Sequence, residues 1–324
     1  MKRFSLVVAS AAFAFFGMNV MAQQYPNKNI SMLVPYAAGG PTDTVARVTA
    51  QAMGKPLGQT IVVENRPSAG GILAPEQVKN AKPDGYTILI HHIGMATTPA
   101  LYRNLRFKPL EDFEPIGLIN DVPMTIIGKP NFPAKDFKEF LAYIKANKQK
   151  VTYANAGIGA ASHLCGMLFM SAIETDLLTV PYKGTAPAMN DLLGGQVDFM
   201  CDQTTNTTSQ IKGGKVKAYA VTSKKRVPSL PDIPTLDELG LKGFEVGIWH
   251  GLYAPKGTPK PVIDKLVSAL QEALKDETVK KRFADLGAET MPVSEATPEA
   301  LRKHLKAEID KWGPLIKKAG VYAD

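Results

Sequence analysis

Ile30-Ser-Met-Leu-Val-Pro-Tyr-Ala-Ala-Gly-Gly-Pro-Thr-Asp-Thr-Val-Ala-Arg47 carries an apolar strand into a small-residue loop, and the loop into a helix. Gly39 and Gly40 permit positive φ and let a ligand approach the backbone closely. The helix that starts near Thr42 aims free N–H groups and the positive end of its dipole at the loop. Such a turn suits an anion, most simply a carboxylate. A lone Gly-Gly turn is also compatible with an ordinary strand–helix connection that binds nothing. A second stretch changes the balance. Tyr153-Ala-Asn-Ala-Gly-Ile-Gly-Ala-Ala-Ser-His-Leu164 again reads strand, glycine loop, helix, with Ser162 as the expected cap. It lacks the third glycine of a dinucleotide fingerprint. No acidic residue ends the next strand where a ribose would need one. No cofactor is expected, and two helix N-termini facing each other predict a cleft that closes over a small anion.

Strand-like and helix-like segments alternate along the chain. Strands are expected at 30–34, 61–64, 86–91, 151–154, 177–181, 197–201 and 216–222. Helices are expected at 43–57, with Val45, Val48, Ala52 and Met53 on one face, and from the Ala69-Gly70-Gly71 turn to about Asn80. Asp136 with Glu139 forms a capping box for a helix to Asn147. Further helices are read at 163–173 and 186–193. Thr258-Pro259 signals an N-cap followed by Pro at the first helical position of a helix to Lys275. The chain closes with helices at 279–286 and 298–318. This is an α/β pattern with mainly parallel sheets, and it occurs twice. A two-lobed fold of the Venus-flytrap kind with a hinge is therefore expected. Lobe 1 comprises residues 23–120 plus 223–324, and lobe 2 residues 121–222.

Lys2 and Arg3 precede an apolar run, Phe4 to Phe16, too short to span a bilayer. Val20-Met21-Ala22 fits a signal-peptidase site, so cleavage after Ala22 and export to the periplasm are expected. The formal charge of +8 falls by the two residues of the signal. Lys212, Lys215, Lys217, Lys224, Lys225 and Arg226 form the densest basic group, without a nucleic-acid motif; a solvated basic face is expected, and no nucleic-acid partner. Cys165 and Cys201 sit in an oxidising compartment, where a disulfide or two buried thiols are both open. Their place beside the same cleft favours a bridge.

These residues resemble the Bug-type extracytoplasmic solute receptors of tripartite tricarboxylate transporters. The marks are Val34-Pro-Tyr-Ala-Ala-Gly-Gly-Pro-Thr-Asp43 with Ala46-Arg47, Val63-Glu-Asn-Arg-Pro67 with Ala69-Gly-Gly71, and Pro83-Asp-Gly-Tyr-Thr87. Gly157-Ile-Gly159 with Ser162-His-Leu164, Val180-Pro-Tyr-Lys-Gly184 and Gly194-Gly-Gln-Val-Asp198 follow. Ile211-Lys-Gly-Gly-Lys215, Ala220-Val-Thr-Ser223, Leu230-Pro-Asp-Ile-Pro-Thr235 and Ala254-Pro-Lys-Gly-Thr-Pro259 complete the set. The resemblance implies a monomeric periplasmic receptor that captures a small carboxylate and docks transiently on membrane transporter subunits. Matched to this chain, it implies ligand contacts at Tyr36, Ala38, Gly39, Thr42 and Asp43, with Ala69, Gly70 and Gly71 nearby. From the second lobe it implies Gly157, Ala161, Ser162 and His163, with Lys183 and Asp202 facing them. Ala37-Ala38 and His91-His92 depart from the common pattern.

Taken singly, these residues have plainer readings. Asp43 suits the first turn of its helix as a negative charge and is expected to shape the loop. His91 and His92 point to opposite faces of a strand and cannot easily share one ion, so no metal site is expected. His92 is the expected hydrogen-bonding histidine of the cleft, and His163 is expected to pack or cap at its helix start. Lys183 fits either a carboxylate or solvent, and Trp249 either an aromatic solute or the core. No Ser–His–acid arrangement can be assembled, and no catalytic residue is expected. The candidate solutes are dicarboxylates, tricarboxylates, acidic amino acids and aromatic acids, with the aromatic and histidine content favouring an aromatic acid. An exported enzyme acting on a carboxylate or ester, and a periplasmic sensor subunit, are the competing readings.

Overall fold

The computed structural model describes residues 25–320, 322 and 323. The expected signal sequence lies outside the described residues. The chain runs β1 (Ile30–Val34), α1 (Pro41–Leu57), β2 (Ile61–Asn65), α2 (Leu73–Lys79), β3 (Thr87–His92), α3 (Gly94–Leu101) and the long β4 (Phe113–Gly128). It continues through α4 (Phe137–Ala146), β5 (Thr152–Asn155), α5 (Ala161–Ala172), β6 (Leu178–Pro181), α6 (Thr185–Leu193), β7 (Phe199–Gln203), α7 (Thr204–Lys212) and β8 (Lys217–Val221). It returns through β9 (Gly247–Pro255), α8 (Lys260–Lys275), α9 (Glu277–Asp285), β10 (Glu289–Thr290) and α10 (Pro298–Ala319).

The strands order as β2-β1-β3-β9-β4-β7-β5-β6, with β8 and β10 also on β4. Strand β4 belongs to both lobes. Its first part pairs with β9 up to Pro123, opposite Gly247; from Met124, opposite Gln203, it pairs with β7. The β1–β2, β1–β3, β5–β6 and β5–β7 pairs are parallel. The antiparallel pairs all involve β4 or β9, the strands that join the halves. At the crossing, the Thr222 hydroxyl donates to the Val246 carbonyl at 2.6 Å and accepts from the Met124 amide at 2.9 Å. One side chain thus ties two inter-lobe connections at the same level.

In lobe 1, Ile30, Met32 and Val34 of β1 are fully buried beside Val45 and Met53 of α1. The expected apolar face of α1 is rotated: Ala46, Ala50 and Leu57 join the core, while Val48 and Ala52 are half-buried. Lobe 2 has an aromatic core in which the Phe140 ring stacks on Tyr219 at 4.4 Å and meets Phe199 edge-on at 5.2 Å. Burying each such side chain contributes about 1.5–3 kcal/mol.

Three expected caps differ. Asp136 does cap α4, accepting from the Glu139 amide, but Glu139 accepts from Lys135 rather than from Asp136. Helix α8 begins after Pro259, and the Thr258 hydroxyl instead donates to the Pro255 carbonyl. Helix α5 begins two residues before the expected start, with Ala160 at the cap, which frees Ser162 for another task.

Candidate ligand-binding site

The first turns of several helices meet at one enclosed space. Pro41 and Thr42 open α1, Ala160 and Ala161 open α5, Thr185 opens α6, and Gln203 precedes α7. Together with Tyr36, His92, Ala156, Ser162 and Asp202 these residues line a narrow cavity between the lobes. The first N–H groups of a helix have no partner within it, so four such turns make the cavity an electropositive, donor-rich space. No lysine or arginine is among the lining residues. The positive potential comes from backbone alone.

The floor is a histidine cluster. His92 stacks on Tyr36, with ring centres 4.9 Å apart, and meets His91 and His250 edge-on at 5.1 and 5.9 Å. The backbone fixes the tautomers. The Gly94 amide donates to His92 Nδ1 at 2.9 Å, so the proton of a neutral ring sits on Nε2. The His92 amide donates to His91 Nδ1 at 2.8 Å, and His91 Nε2 donates to the Gly71 carbonyl at 3.3 Å. His250 Nδ1 donates to Asn120 Oδ1 at 2.9 Å, leaving its Nε2 to accept from the Thr42 hydroxyl at 3.4 Å. Burial pushes His91 down to about 4 and His250 to about 3. His92 is pushed well down by burial and then by its two histidine neighbours. The cluster is neutral at neutral pH, and His92 offers the cavity a neutral N–H donor.

Asp202 is the penultimate residue of β7 and is 1% exposed. Its Oδ1 accepts from the Gln203 amide at 2.8 Å and its Oδ2 from Asn206 Nδ2 at 2.5 Å. Burial pushes its carboxyl up to about 7, against the pull of hydrogen bonds from Asn206 and Gln203. Gln203 Oε1 is buried without a hydrogen-bond partner.

Of the residues singled out in the sequence, Tyr36, Thr42, His92, Ala161, Ser162 and Asp202 line the cavity. The others surround it in different tasks. Asp43 turns back on its own loop, accepting from the Gly39 amide and from Arg47 Nε, both at 2.9 Å. Ala38 and Gly39 are exposed. Gly70 and Gly157 are where the lobes touch: a Cβ on Gly157 would lie 2.8 Å from the Gly70 nitrogen. Ala69 offers its carbonyl to the Tyr102 hydroxyl at 3.3 Å, and Gly71 offers its own to His91. His163 Nδ1 accepts from the Gly159 amide at 3.4 Å, and burial pushes its ring down to about 4. Lys183 is exposed and contributes its carbonyl, which accepts from the Ala37 amide of the other lobe at 3.2 Å. Trp249 is 3% exposed and packs edge-on against His304 at 4.8 Å, outside the cavity lining. Cys165 and Cys201 are joined in a disulfide with Cα atoms 6.1 Å apart. It ties α5 to the strand that carries Asp202.

Sequence reasoning missed Pro41, Ala156, Ala160, Thr185 and Gln203. Thr185 and Gln203 each stand at the junction of a segment with a helix, so asking which residues begin every helix would have found them.

A family profile described as "Tripartite tricarboxylate transporter family receptor" matches residues 45–321. The chain belongs to this receptor family. A protein of Agrobacterium vitis, "UPF0065 protein in the TAR-I ttuE-ttuC' intergenic region", is 53% identical over 91% of this receptor and 86% of its own length. The solved "periplasmic binding protein BugD" is 60% identical, with a TM-score of 0.90 over 92% of this receptor and 99% of that chain. MatC from Rhodopseudomonas palustris, solved with bound malate, is 40% identical, with a TM-score of 0.86 over 90% and 100% of the two chains. The receptor is thus a two-lobed solute-binding protein.

Proposed function

We propose that this receptor captures a small dicarboxylate of malate-like length in the periplasm. As a monomer, it then presents the closed complex to membrane transporter subunits. The reading rests on the convergence of four helix N-termini on a cavity without a cationic side chain. Backbone N–H groups in that arrangement hold carboxylate oxygens without the desolvation cost of a buried lysine. The His92 Nε2 proton and the hydroxyls of Ser162 and Thr185 supply further donors, with Tyr36, Thr42, Ala161 and Asp202 completing the wall. Gly39, Gly70, Gly71 and Gly157 act by letting the loops close around the solute, with Ala38, Asp43, Ala69, His163 and Lys183 supporting those loops.

A narrow space walled by Ala156, Ala160 and Ala161 favours a short aliphatic acid over an aromatic one. Trp249, which made an aromatic acid attractive, packs elsewhere. Malate in the related MatC supports the same size class. The register switch of β4 at Pro123–Met124 and the Thr222 tie support lobes bounded near 121 and 222. Capture without turnover is supported by Ser162, whose Oγ accepts from the Ala156 amide at 2.8 Å. Its neighbour His163 is engaged with Gly159. No Ser–His pair forms between them.

The test is a thermal-shift and calorimetric panel of malate, succinate, adipate, citrate and terephthalate. A ligand at a hundred times its Kd raises stability by about 2.7 kcal/mol. The dicarboxylates are expected to give the largest rise in Tm. No shift with any acid overturns the reading, and turnover of the bound acid overturns the non-enzymatic part of it.

A further inference from the structure

We propose that capture of a dicarboxylate takes up one proton from solvent and that Asp202 holds it in the closed complex. The inference rests on the dicarboxylate reading of the cavity and concerns how that site balances charge. Asp202 is the only carboxyl among the lining residues, and it stands in a space otherwise arranged for an anion. Its two oxygens are engaged by neutral donors, the Gln203 amide and Asn206.

The side chains that share the space with Asp202, or pack behind it, are neutral. Strand β4 places Thr125 opposite, with its hydroxyl on the Asp202 carbonyl at 3.2 Å. Strand β5 brings Tyr153, whose phenol donates to the Ser162 carbonyl and is kept protonated by burial. Helix α5 brings Ser162, α6 brings Thr185 and α1 brings Thr42. Strand β3 brings His92, neutral, with His91 and His250 behind it. His163, farther along α5, is also neutral. No ammonium or guanidinium group lines the space.

A dicarboxylate therefore enters with two negative charges and meets a third. Like charges in a buried site cannot all persist, and the group that can take a proton does so. The balance is one proton from bulk water onto the Asp202 carboxylate, giving a carboxylic acid whose O–H donates to a ligand carboxylate oxygen. The proton returns to solvent when the lobes open and the ligand leaves. Burial already raises the free carboxyl to about 7. The ligand's charge raises it further, so affinity falls by up to tenfold per pH unit above neutrality. A solute that carries its own ammonium group would instead pair with ionised Asp202 and take up no proton.

Calorimetry of the full mature chain at pH 8 with malate, in phosphate and in Tris, counts the protons taken up through the difference in buffer ionisation heats. Uptake close to one is expected for the wild type. Asp202→Asn is expected to bind malate with no uptake and a flat pH profile between 6.5 and 8.5. Malate binding by the wild type without proton uptake overturns the proposal alone. A full pH slope in Asp202→Asn also overturns it. If no acid of the panel binds and L-glutamate does, with no uptake, the dicarboxylate reading fails and the proposal fails with it. The wild-type proton count decides the matter even if the variant does not fold.

Discussion

In the loop after β1, the Gly39 amide is held by Asp43, and Asp43 by Arg47, whose side chain is 55% exposed. In the loop after β5, the Ala156 amide is held by Ser162 and the Gly157 amide by Asn155, both buried. One turn beyond Ser162, a disulfide fastens the helix to β7. Two loops with the same glycine-rich appearance are thus braced by different physics. The first relies on a charge-assisted chain that ends in solvent and is open to salt and pH. The second relies on neutral hydrogen bonds inside the fold. The lobe-1 loop is the one that solution conditions can loosen, and the lobe-2 loop is the fixed wall against which it closes.

The most severe way to break the pairing is at the contact between the two regions. Gly70 has φ +65, and a Cβ there would collide with the Ile158 carbonyl and the Tyr102 hydroxyl of the closed form. Tyr102 belongs to the same lobe as Gly70, so Gly70→Ala strains that turn in either form, and the Ile158 carbonyl of the other lobe adds a clash that blocks closing. We expect malate affinity to fall about a thousandfold, roughly 4 kcal/mol, with small-angle scattering holding at the open dimensions when ligand is added. Retained affinity would show that closure tolerates a methyl group there, and the lobe contact would lose its importance.

The bracing of the second loop is next. Ser162→Ala leaves the buried Ala156 amide without an acceptor, which costs about 1–3 kcal/mol. Urea unfolding should show that loss equally at low and high salt and from pH 5 to 8. A strong salt dependence would contradict the neutral character assigned to this loop.

Much of this contrast was legible in the chain itself, and the exceptions have identifiable causes. Strand β1, helix α1 and both glycine turns follow from an apolar run ending in small residues, a purely local signal. The long strand β4 was not legible because Pro115, Gly117 and Pro123 are strand breakers on any local reading. The register shifts between Pro115 and Gly117, and Pro123 falls where β4 changes partners. Helix α7 begins with Thr204-Thr205-Asn206-Thr207-Thr208, poor helix formers whose hydroxyls find tertiary partners: Thr204 donates to the Gly287 carbonyl and Thr208 to that of Leu286. At the site, residue types were readable but directions were not. Asp43 faces its own loop, as its place in the first helical turn led us to expect, but that Gly70 meets the other lobe and that Lys183 offers its carbonyl across the cleft were not readable. Those outcomes depend on contacts between segments far apart in sequence.

Asp43→Asn sharpens the contrast from the first loop. Burial tends to raise the Asp43 carboxyl, but hydrogen bonds from Arg47 and Gly39 outweigh it and hold it below the ordinary carboxylate range. A depressed carboxyl gives stability that is fully present above its unfolded value, about 3.9, and is lost as pH falls through the lower folded value. The variant should lose about 1–2 kcal/mol at pH 7, the range of a charge-assisted hydrogen bond partly exposed to solvent. The gap between wild type and variant should narrow below pH 4 and at high salt. A gap unchanged by either condition would place the Asp43–Arg47 pair in the same class as Ser162.

The smallest expected effect separates bracing from closure. The Tyr102 hydroxyl on lobe 1 donates to the Ile158 carbonyl of the second loop at 3.1 Å, and the Thr97 hydroxyl to the Gly159 carbonyl at 3.1 Å. Neither residue is among those lining the cavity. Tyr102→Phe keeps the ring and removes the inter-lobe hydrogen bond, worth about 1 kcal/mol, together with the longer contact to the Ala69 carbonyl of its own lobe at 3.3 Å. That loss favours the open form and should raise the malate off-rate about fivefold, leaving the on-rate unchanged, because the open form that meets the ligand is intact. Stopped-flow release should therefore change more than thermal stability without ligand. Asp43→Asn should show the reverse pattern in the free protein, losing stability before any ligand is added. If Tyr102→Phe instead lowered the ligand-free Tm as much as Asp43→Asn does, its hydroxyl would count as part of the loop's own bracing, and the inter-lobe contact would not be the device that retains the solute.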